Sequence, residues 1–201
     1  MNIFCDKMRI FENHFTHTMK PEIRLHDKTF VPCIPYASLC AAIDAVADKI
    51  NTDFCGCSKP PVLLCILNGS IMFSAELMKR LNFNCELACL KVASYEGTHS
   101  TGKIRQVTDF TGSVKDKDVI IVEDIIDSGN TIESLINIVK NAGASSIRIC
   151  TMLFKPAAYK KDIHIDYTAM SIPDDFIVGF GLDYNELGRN YKDIYVLKEE
   201  K

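Results

Sequence analysis

VIIVEDIIDSGNT, residues 119–131 of this 201-residue chain, is the stretch that determines the fold. It begins with four apolar residues, which is typical of a strand buried on both faces of a sheet. Two adjacent carboxylates, Glu123 and Asp124, follow this run, and Asp127 comes three residues later. Small and polar residues then lead into a helical pattern that begins at Ile132. The stretch therefore predicts a buried strand, an acidic turn and a helix in direct succession.

The last four residues of the stretch, 128–131, have the properties of a phosphate-binding turn. Backbone amides and the positive end of the helix dipole would face an anion, and Gly129 permits close approach and a positive φ. The carboxylates would repel a bare phosphate, but they suit a sugar phosphate, whose hydroxyls can donate to Glu123 and Asp124. Asp127 could then reach the substituted carbon or the group that attacks it. A turn whose Asp and Ser side chains only cap the helix is the alternative.

Strand and helix patterns alternate through the rest of the chain. Apolar and β-branched runs predict strands at Val62–Leu67, 86–92, 147–154, 176–180 and Ile194–Leu197. The long polar stretch 94–111 is typical of a flexible loop that leads into a short strand around 103–109. Helical spacing predicts helices over 36–50, 71–81 and 132–142. Strands that alternate with amphipathic helices predict an α/β fold with a parallel sheet. Because ligands of such sheets bind at the carboxyl ends of the strands, we expect the site at 68–70, 123–131 and Lys155.

The composition excludes several classes of function. A formal net charge of −3 provides no basic field for the phosphate backbone of nucleic acids. No apolar run approaches the roughly 18 residues of a membrane span, and residues 1–20 lack the apolar core of a signal peptide. Several of the nine cysteines lie in apolar runs and are expected to be reduced. We therefore expect a cytoplasmic, soluble protein that binds neither nucleic acid nor membranes.

Several turns of the chain together resemble one known family. Residues 119–131 resemble the phosphoribosyl pyrophosphate (PRPP) motif of the type I phosphoribosyltransferases, and LNGS at 67–70 resembles their pyrophosphate loop. Further matches are similar to the hypoxanthine-guanine branch of that family: Ser94-Tyr95, Phe154-Lys155, IPDDFIVG at 172–179, LDYNE at 182–186 and Arg189. The matches span roughly residues 24–198 in the family's order, which is more specific than a single motif.

This resemblance implies a role for each matching residue. PRPP and its ribose would be bound by Glu123, Asp124, Ile126, Asp127, Ser128, Gly129, Asn130 and Thr131. Pyrophosphate would be bound by Leu67, Asn68, Gly69, Ser70 and Arg189. The purine would be bound by Lys155, Phe176, Ile177 and Asp183, and a mobile loop would begin at Ser94 and Tyr95. Magnesium would be bound by Glu123, Asp124 and Asp183, because carboxylates and water suit this ion.

The resemblance also implies how the purine is handled. Asp127 would be the catalytic residue, a general acid/base beside N7 of the base. Lys155 would donate to the 6-oxo group, which disfavours adenine but leaves xanthine open, and Phe176 would stack on the ring.

Two features concern the loops themselves. A cis peptide bond between Leu67 and Asn68 is expected from the family. Many relatives have a basic residue at the position of Asn68, and some have a lysine at that of Asn130. These two departures from the family's pattern concern the affinity of the loops for phosphate groups and not the class of reaction.

The implied fold is that of the type I phosphoribosyltransferases, a twisted, mostly parallel sheet flanked by helices. A small hood lobe would come from roughly residues 19–35 and 160–201 of a single domain, 19–201, and residues 1–18 would be an N-terminal extension. The implied reaction belongs to purine salvage: PRPP and hypoxanthine or guanine yield IMP or GMP and pyrophosphate, with Mg²⁺. The family commonly forms homodimers or homotetramers, so a homo-oligomer is expected.

A non-enzymatic regulator on the same fold, which senses PRPP or nucleotides and binds nucleic acid, is the alternative from another class. It would need a basic face or an added DNA-binding module, and the net charge argues against the basic face.

Overall fold

The computed structural model of the protein describes residues 20–94, 104–106 and 108–198. The predicted N-terminal extension, residues 1–18, and the predicted loop residue Tyr95 lie outside the described residues.

The described ranges contain ten strands and three helices. The strands are β1 Ile23–Leu25, β2 Lys28–Ile34, β3 Val62–Leu67, β4 Glu86–Ser94, β5 Ile104–Gln106, β6 Asp118–Ile126, β7 Ser146–Phe154, β8 Tyr167–Ser171, β9 Ile177–Val178 and β10 Ile194–Leu197. The helices are α1 Tyr36–Asp53, α2 Ile71–Met78 and α3 Asn130–Asn141.

The central sheet has six strands in the order β5-β4-β3-β6-β7-β8. Five of them run parallel, and β5 pairs antiparallel with β4 at one edge. β3 and β6 lie in the middle, where both faces are covered, which explains why both contain continuous apolar runs. The predicted α/β fold with a mostly parallel sheet is confirmed, although β8 was not among the predicted strands.

Helices cover both faces of this sheet. α1 and α2 pack on one face, where Leu39 and Phe73 are fully buried in a shared core. α3 packs on the other face, where Leu135 contributes to a second core with Ile121 of β6. The chain therefore has three layers, and the sheet forms the middle one.

The first and last described strands form a second, antiparallel sheet in the order β1-β2-β10-β9, which we call the hood sheet. Its core contains the buried side chains of Phe30, Val178 and Tyr195. β8 lies within residues 160–201 but pairs with β7, so it belongs to the central sheet. The strand expected at 176–180 is limited to Ile177–Val178, because the backbone then turns through positive φ angles at residues 179–181.

The hood sheet contacts both α1 and a turn at the edge of the central sheet. Asp193 accepts a hydrogen bond at Oδ1 from the amide of Tyr36 (2.8 Å), the first residue of α1. It thereby satisfies one of the amides that a helix start leaves without a partner. A Cβ placed on Gly181 would lie 1.9 Å from the carbonyl oxygen of Gly69. The turn after β9 therefore lies directly against the turn that follows β3.

Within the described part of the chain, no helix is long and apolar enough to cross a membrane. The eight cysteines of the described ranges are all free thiols.

Candidate active site

The turns after β3, β6 and β7 lie at the carboxyl edge of the central sheet, where parallel sheets bind ligands. The peptide bond between Leu67 and Asn68 is cis, as expected. Gly69 lies against the acidic turn, because a Cβ at this position would be 1.5 Å from Oδ2 of Asp124. The amide of Lys155 donates to the carbonyl of Ile126 at 2.9 Å. The three turns predicted from the sequence are thus in direct contact.

The turn predicted to bind phosphate begins α3. Gly129 is the N-cap residue and has a φ of +85°, a conformation that favours glycine. A Cβ here would be 2.6 Å from Cε2 of Tyr159, so glycine is required for space as well. The first bond of the helix runs from the amide of Glu133 to the carbonyl of Gly129 at 3.1 Å. The amides before it face no acceptor within the helix and are available to an anion.

The predicted pyrophosphate loop, residues 67–70, offers fewer donors than its sequence suggests. The hydroxyl of Ser70 is buried and donates to the carbonyl of Ile66 at 2.7 Å, and its amide points to the same oxygen at 3.3 Å. Ser70 is the N-cap residue of α2, but its side chain makes no capping bond. Asn68 is exposed at the tip of the loop. Within this loop, the donors that remain for pyrophosphate are therefore Asn68 and the backbone amide of Gly69.

Glu123 and Asp124 form a desolvated acidic pair. Only 5% of Glu123 is exposed, and burial, reinforced by the neighbouring Asp124, raises its pKa well above the usual value. Burial also raises the pKa of Asp124, while a hydrogen bond from the amide of Ile125 (2.8 Å) and the charge of Arg189 oppose the shift. Two such carboxylates favour a cation or hydroxyl donors beside them.

This donor set fits Mg²⁺. Magnesium usually keeps several waters and takes one or two carboxylates together with substrate phosphates. No group of three acidic, histidine or cysteine side chains is close enough to hold a metal among the described residues, so Asp183 does not complete a protein cage with the pair. Glu123 and Asp124 remain the residues best suited to such an ion.

Asp183 and Arg189 are paired with each other. Nη2 of Arg189 lies 2.6 Å from Oδ1 of Asp183, and Nη1 donates to the carbonyl of Gly181 at 2.7 Å. The other carboxylate oxygen of Asp183 accepts from the amide of Glu186 at 2.7 Å. The two residues were assigned separate roles, and their pairing brings the predicted pyrophosphate arginine and the predicted purine and metal carboxylate together.

Lys155 lies beside the predicted catalytic residue. Its Nζ is 3.8 Å from Oδ2 of Asp127 and 3.0 Å from Oδ1 of Asp174. Lys155 is buried, whereas the side chain of Asp127 is half exposed and accessible to a ligand. Asp174 was not among the predicted site residues. The signal that could have identified it is the need of a buried ammonium group for a counter-charge.

The predicted stacking residue presents an open aromatic face. Phe176 is 45% exposed, and its ring contacts Tyr184 edge-on with the centroids 5.8 Å apart. Nζ of Lys28 lies 5.7 Å from the ring centroid of Phe176 and 5.1 Å from that of Tyr184. Ile177 is buried and pairs with Val196 in the hood sheet. The residues predicted to bind the purine thus lie at the border between the hood sheet and the central sheet.

Comparison with known proteins agrees with this geometry. A family model described as phosphoribosyl transferase domain matches residues 36–185. The chain is 42% identical over 164 residues to a hypoxanthine-guanine phosphoribosyltransferase of Staphylococcus epidermidis, which covers 81% of this chain and 89% of the relative. It is 40% identical over 168 residues to the enzyme of the same name from Streptococcus pneumoniae, covering 83% and 92%.

Solved structures give the same result. A crystal structure of a hypoxanthine phosphoribosyltransferase from Staphylococcus aureus superimposes with a TM-score of 0.77 at 36% identity, covering 83% of this chain and 90% of that one. The hypoxanthine phosphoribosyl transferase of Trypanosoma cruzi superimposes with a TM-score of 0.79 at 29% identity, covering 88% and 95%.

The parallel sheet, the hood sheet and the acidic turn define the class of the protein as a type I phosphoribosyltransferase. The resemblance stated from the sequence is confirmed. The chain belongs to the phosphoribosyltransferase family, and within it to the group of the hypoxanthine-guanine phosphoribosyltransferases.

Proposed function

We propose that the protein is a purine-salvage enzyme that transfers the 5-phosphoribosyl group of PRPP to hypoxanthine or guanine, yielding IMP or GMP and pyrophosphate in the presence of Mg²⁺. One observation carries this proposal: a half-exposed carboxylate, Asp127, lies between a phosphate-binding turn and the buried Lys155. An anion site, a proton acceptor and a donor for a carbonyl oxygen are what this reaction needs within a few ångströms.

On the PRPP side, the amides of residues 128–131 bind the 5′-phosphate. Glu123 and Asp124 accept hydrogen bonds from the ribose hydroxyls, and Arg189 contacts pyrophosphate through guanidinium donors that suit phosphate oxygens. Bound Mg²⁺ would supply positive charge that stabilises the leaving pyrophosphate. Because the acidic pair is desolvated, its interactions are stronger than they would be in water.

On the purine side, N9 of the base attacks C1 of the ribose while the bond from C1 to the pyrophosphate oxygen breaks. Lys155 donates to the 6-oxo group and Phe176 stacks on the ring, so that the base is oriented before the reaction. Asp127 accepts the proton of N7, and the loss of this proton makes N9 the better nucleophile. The positive charge that develops on the ribose is stabilised by nearby carboxylates, as in glycoside hydrolysis.

Several further features belong to the same proposal. The segment that begins at Ser94 and Tyr95 closes over the reacting centre and excludes water. Residues 19–201 form one domain with residues 1–18 as an extension, and the protein is a cytoplasmic homodimer or homotetramer.

The test is a panel of purines. The protein is mixed with PRPP, Mg²⁺ and hypoxanthine, guanine, xanthine or adenine, and nucleotide formation is followed by chromatography. We expect IMP and GMP and no AMP, because Lys155 can donate to an oxo group but not to the amino group of adenine. Reactions without PRPP and reactions with a chelator are the controls. If neither hypoxanthine nor guanine gives a nucleotide, the proposal is wrong, and a product from xanthine alone would redefine the substrate.

A further inference from the structure

The ammonium group of Lys155 has two acidic neighbours at different distances. Asp174 is within hydrogen-bond distance, with 3.0 Å between Oδ1 and Nζ, whereas Asp127 lies 3.8 Å away. Lys155 is only 7% exposed. An ammonium group that is removed from water needs a compensating charge, since an unpaired buried charge is strongly unfavourable. The stronger compensation in this structure comes from Asp174.

The two carboxylates belong to different parts of the chain. Asp127 lies in the turn after β6, and Asp174 lies in the segment between β8 and β9, two residues before the exposed Phe176. The side chain of Asp174 is 60% exposed, so it contributes little to the core. Among the described residues, Lys155 is the only hydrogen-bond or ion-pair partner of its carboxylate. A structural role in packing does not explain this contact.

Asp127 cannot serve fully both as the partner of Lys155 and as the proton carrier of the reaction. A carboxylate that is drawn onto an ammonium group is less able to accept a proton and is turned away from the base. A second carboxylate that neutralises Lys155 from the other side removes this conflict.

We propose that Asp174 is the positioning residue of the purine site: it compensates the charge of Lys155, holds the ammonium group where it meets the oxo group of the base, and leaves Asp127 free for N7. This inference rests on the proposed function. It assigns the substrate-selecting lysine a partner that does not itself touch the reacting atoms.

Steady-state kinetics of three variants test the inference. For Asp174→Ala we expect the KM for hypoxanthine to rise about tenfold, the effect expected when a hydrogen bond to a charged group is lost, and kcat to fall as Lys155 moves onto Asp127. The KM for PRPP should not change. Asp174→Asn keeps an acceptor for Nζ and should recover part of the loss. Asp175→Ala, which removes the adjacent exposed carboxylate, is the matched control and should behave like the wild type.

A double-mutant cycle separates positioning from general damage. In a Lys155→Met background, Asp174→Ala should have no further effect on the hypoxanthine KM, because the residue acts through the ammonium group. Equal changes in the KM for PRPP and for hypoxanthine, or an effect that persists without Lys155, would overturn the inference. If the wild type makes IMP or GMP but Asp174→Ala matches Asp175→Ala, the inference alone is wrong. If the wild type makes neither nucleotide, the proposed function is wrong, and the inference, which rests on it, is wrong as well.

Discussion

Gly69 has no room for a side chain, and the reason lies in another turn. A Cβ at this position would be 1.5 Å from Oδ2 and 2.5 Å from Cγ of Asp124, so the carboxylate would have to move. Asp124 is one of the two desolvated acids proposed to bind the ribose and the metal. A single glycine in the pyrophosphate loop therefore determines where a carboxylate of the acidic turn can lie.

Replacing Gly69 tests this contact. Substituting alanine for glycine at a compatible site usually stabilises a protein by about 0.4–1 kcal/mol. At Gly69 the added Cβ has no room, so we expect Asp124 to be displaced and its contact with PRPP to be lost. The KM for PRPP of Gly69→Ala should therefore rise by roughly tenfold or more, the factor that corresponds to the loss of one charge-assisted hydrogen bond. Gly112→Ala is the control, since a Cβ there would meet only Ala88 at 3.9 Å. Equal PRPP constants in both variants would show that the displaced carboxylate is not part of the site.

At the scale of elements, α1 and α2 are joined by Glu76. Its carboxylate accepts hydrogen bonds from the hydroxyl of Tyr36 (3.0 Å), from Nζ of Lys79 (2.7 Å) and from Nη1 of Arg80 (2.8 Å). Burial alone would raise the pKa of Glu76, but the hydrogen bonds from Lys79, Arg80 and Tyr36 outweigh it and lower the pKa to about 2. α2 begins directly after the predicted pyrophosphate loop, at Ile71. The hydrogen bonds of Glu76 therefore help to hold the helix that follows this loop.

The depressed pKa of Glu76 predicts acid lability with a definite sign. Because the folded state has the lower pKa, the contribution to stability is complete above the unfolded value, near 4.5, and is lost as the pH falls towards 2. The difference between these pKa values corresponds to an upper limit of about 3 to 4 kcal/mol, which solvent screening of the partly exposed carboxylate reduces. In Glu76→Gln, the free energy of unfolding, measured with urea between pH 7 and pH 3, should fall less steeply below pH 5 than in the wild type. Parallel curves would contradict this.

Glu133→Gln is the matched control for that experiment. Glu133 lies on α3, forms an ion pair with Lys161 (2.7 Å) and has a half-exposed side chain. An exposed pair of this kind contributes little to stability, so its pH curve should follow that of the wild type.

At the scale of the whole molecule, the predicted site residues come from the parts of the chain that form both sheets. The central sheet supplies the acidic turn and Lys155, while the segments of the hood sheet supply Phe176 and the pair of Asp183 and Arg189. The two parts meet where the turn after β9, at Gly181, lies against Gly69. Ligands that contact both parts should therefore stabilise the molecule as a unit.

Thermal unfolding tests this assembly. A ligand at about 100 times its Kd stabilises the folded state by roughly 2.7 kcal/mol. For a domain of this size that corresponds to a rise in Tm of about 5–10 °C. We expect PRPP with Mg²⁺ to raise the Tm more than PRPP with a chelator, because Glu123 and Asp124 would otherwise face the phosphates without a cation between them.

The variant Glu123→Gln is the control for the metal. It removes one of the two acids, so the difference in Tm between PRPP with Mg²⁺ and PRPP with a chelator should shrink. Equal shifts with and without Mg²⁺ in the wild type would mean that the acidic pair does not bind the ion.

Much of this architecture was predictable from local patterns. The run at 119–122, the acidic turn and the helix after Gly129 appear in the structure as β6, its turn and α3, because hydrophobic period and turn chemistry act over a few residues. The family and the class of fold are confirmed. The roles of individual site residues stay predictions, although the structure brings the turns that contain Asn68, Asp124 and Lys155 together at one edge of the central sheet.

Local patterns did not predict the contacts between distant segments. The partner of Lys155 is Asp174, and β8 joins the central sheet by pairing with β7 although residues 167–171 show no clear strand pattern. Each depends on how segments far apart in the chain meet. The sequence by itself determined the strand-turn-helix unit at 119–131 and the edge of the sheet where a ligand site is predicted, because those depend on neighbouring residues. Only the tertiary structure decided which charge compensates Lys155, because a buried ion pair forms between whichever groups folding brings within reach.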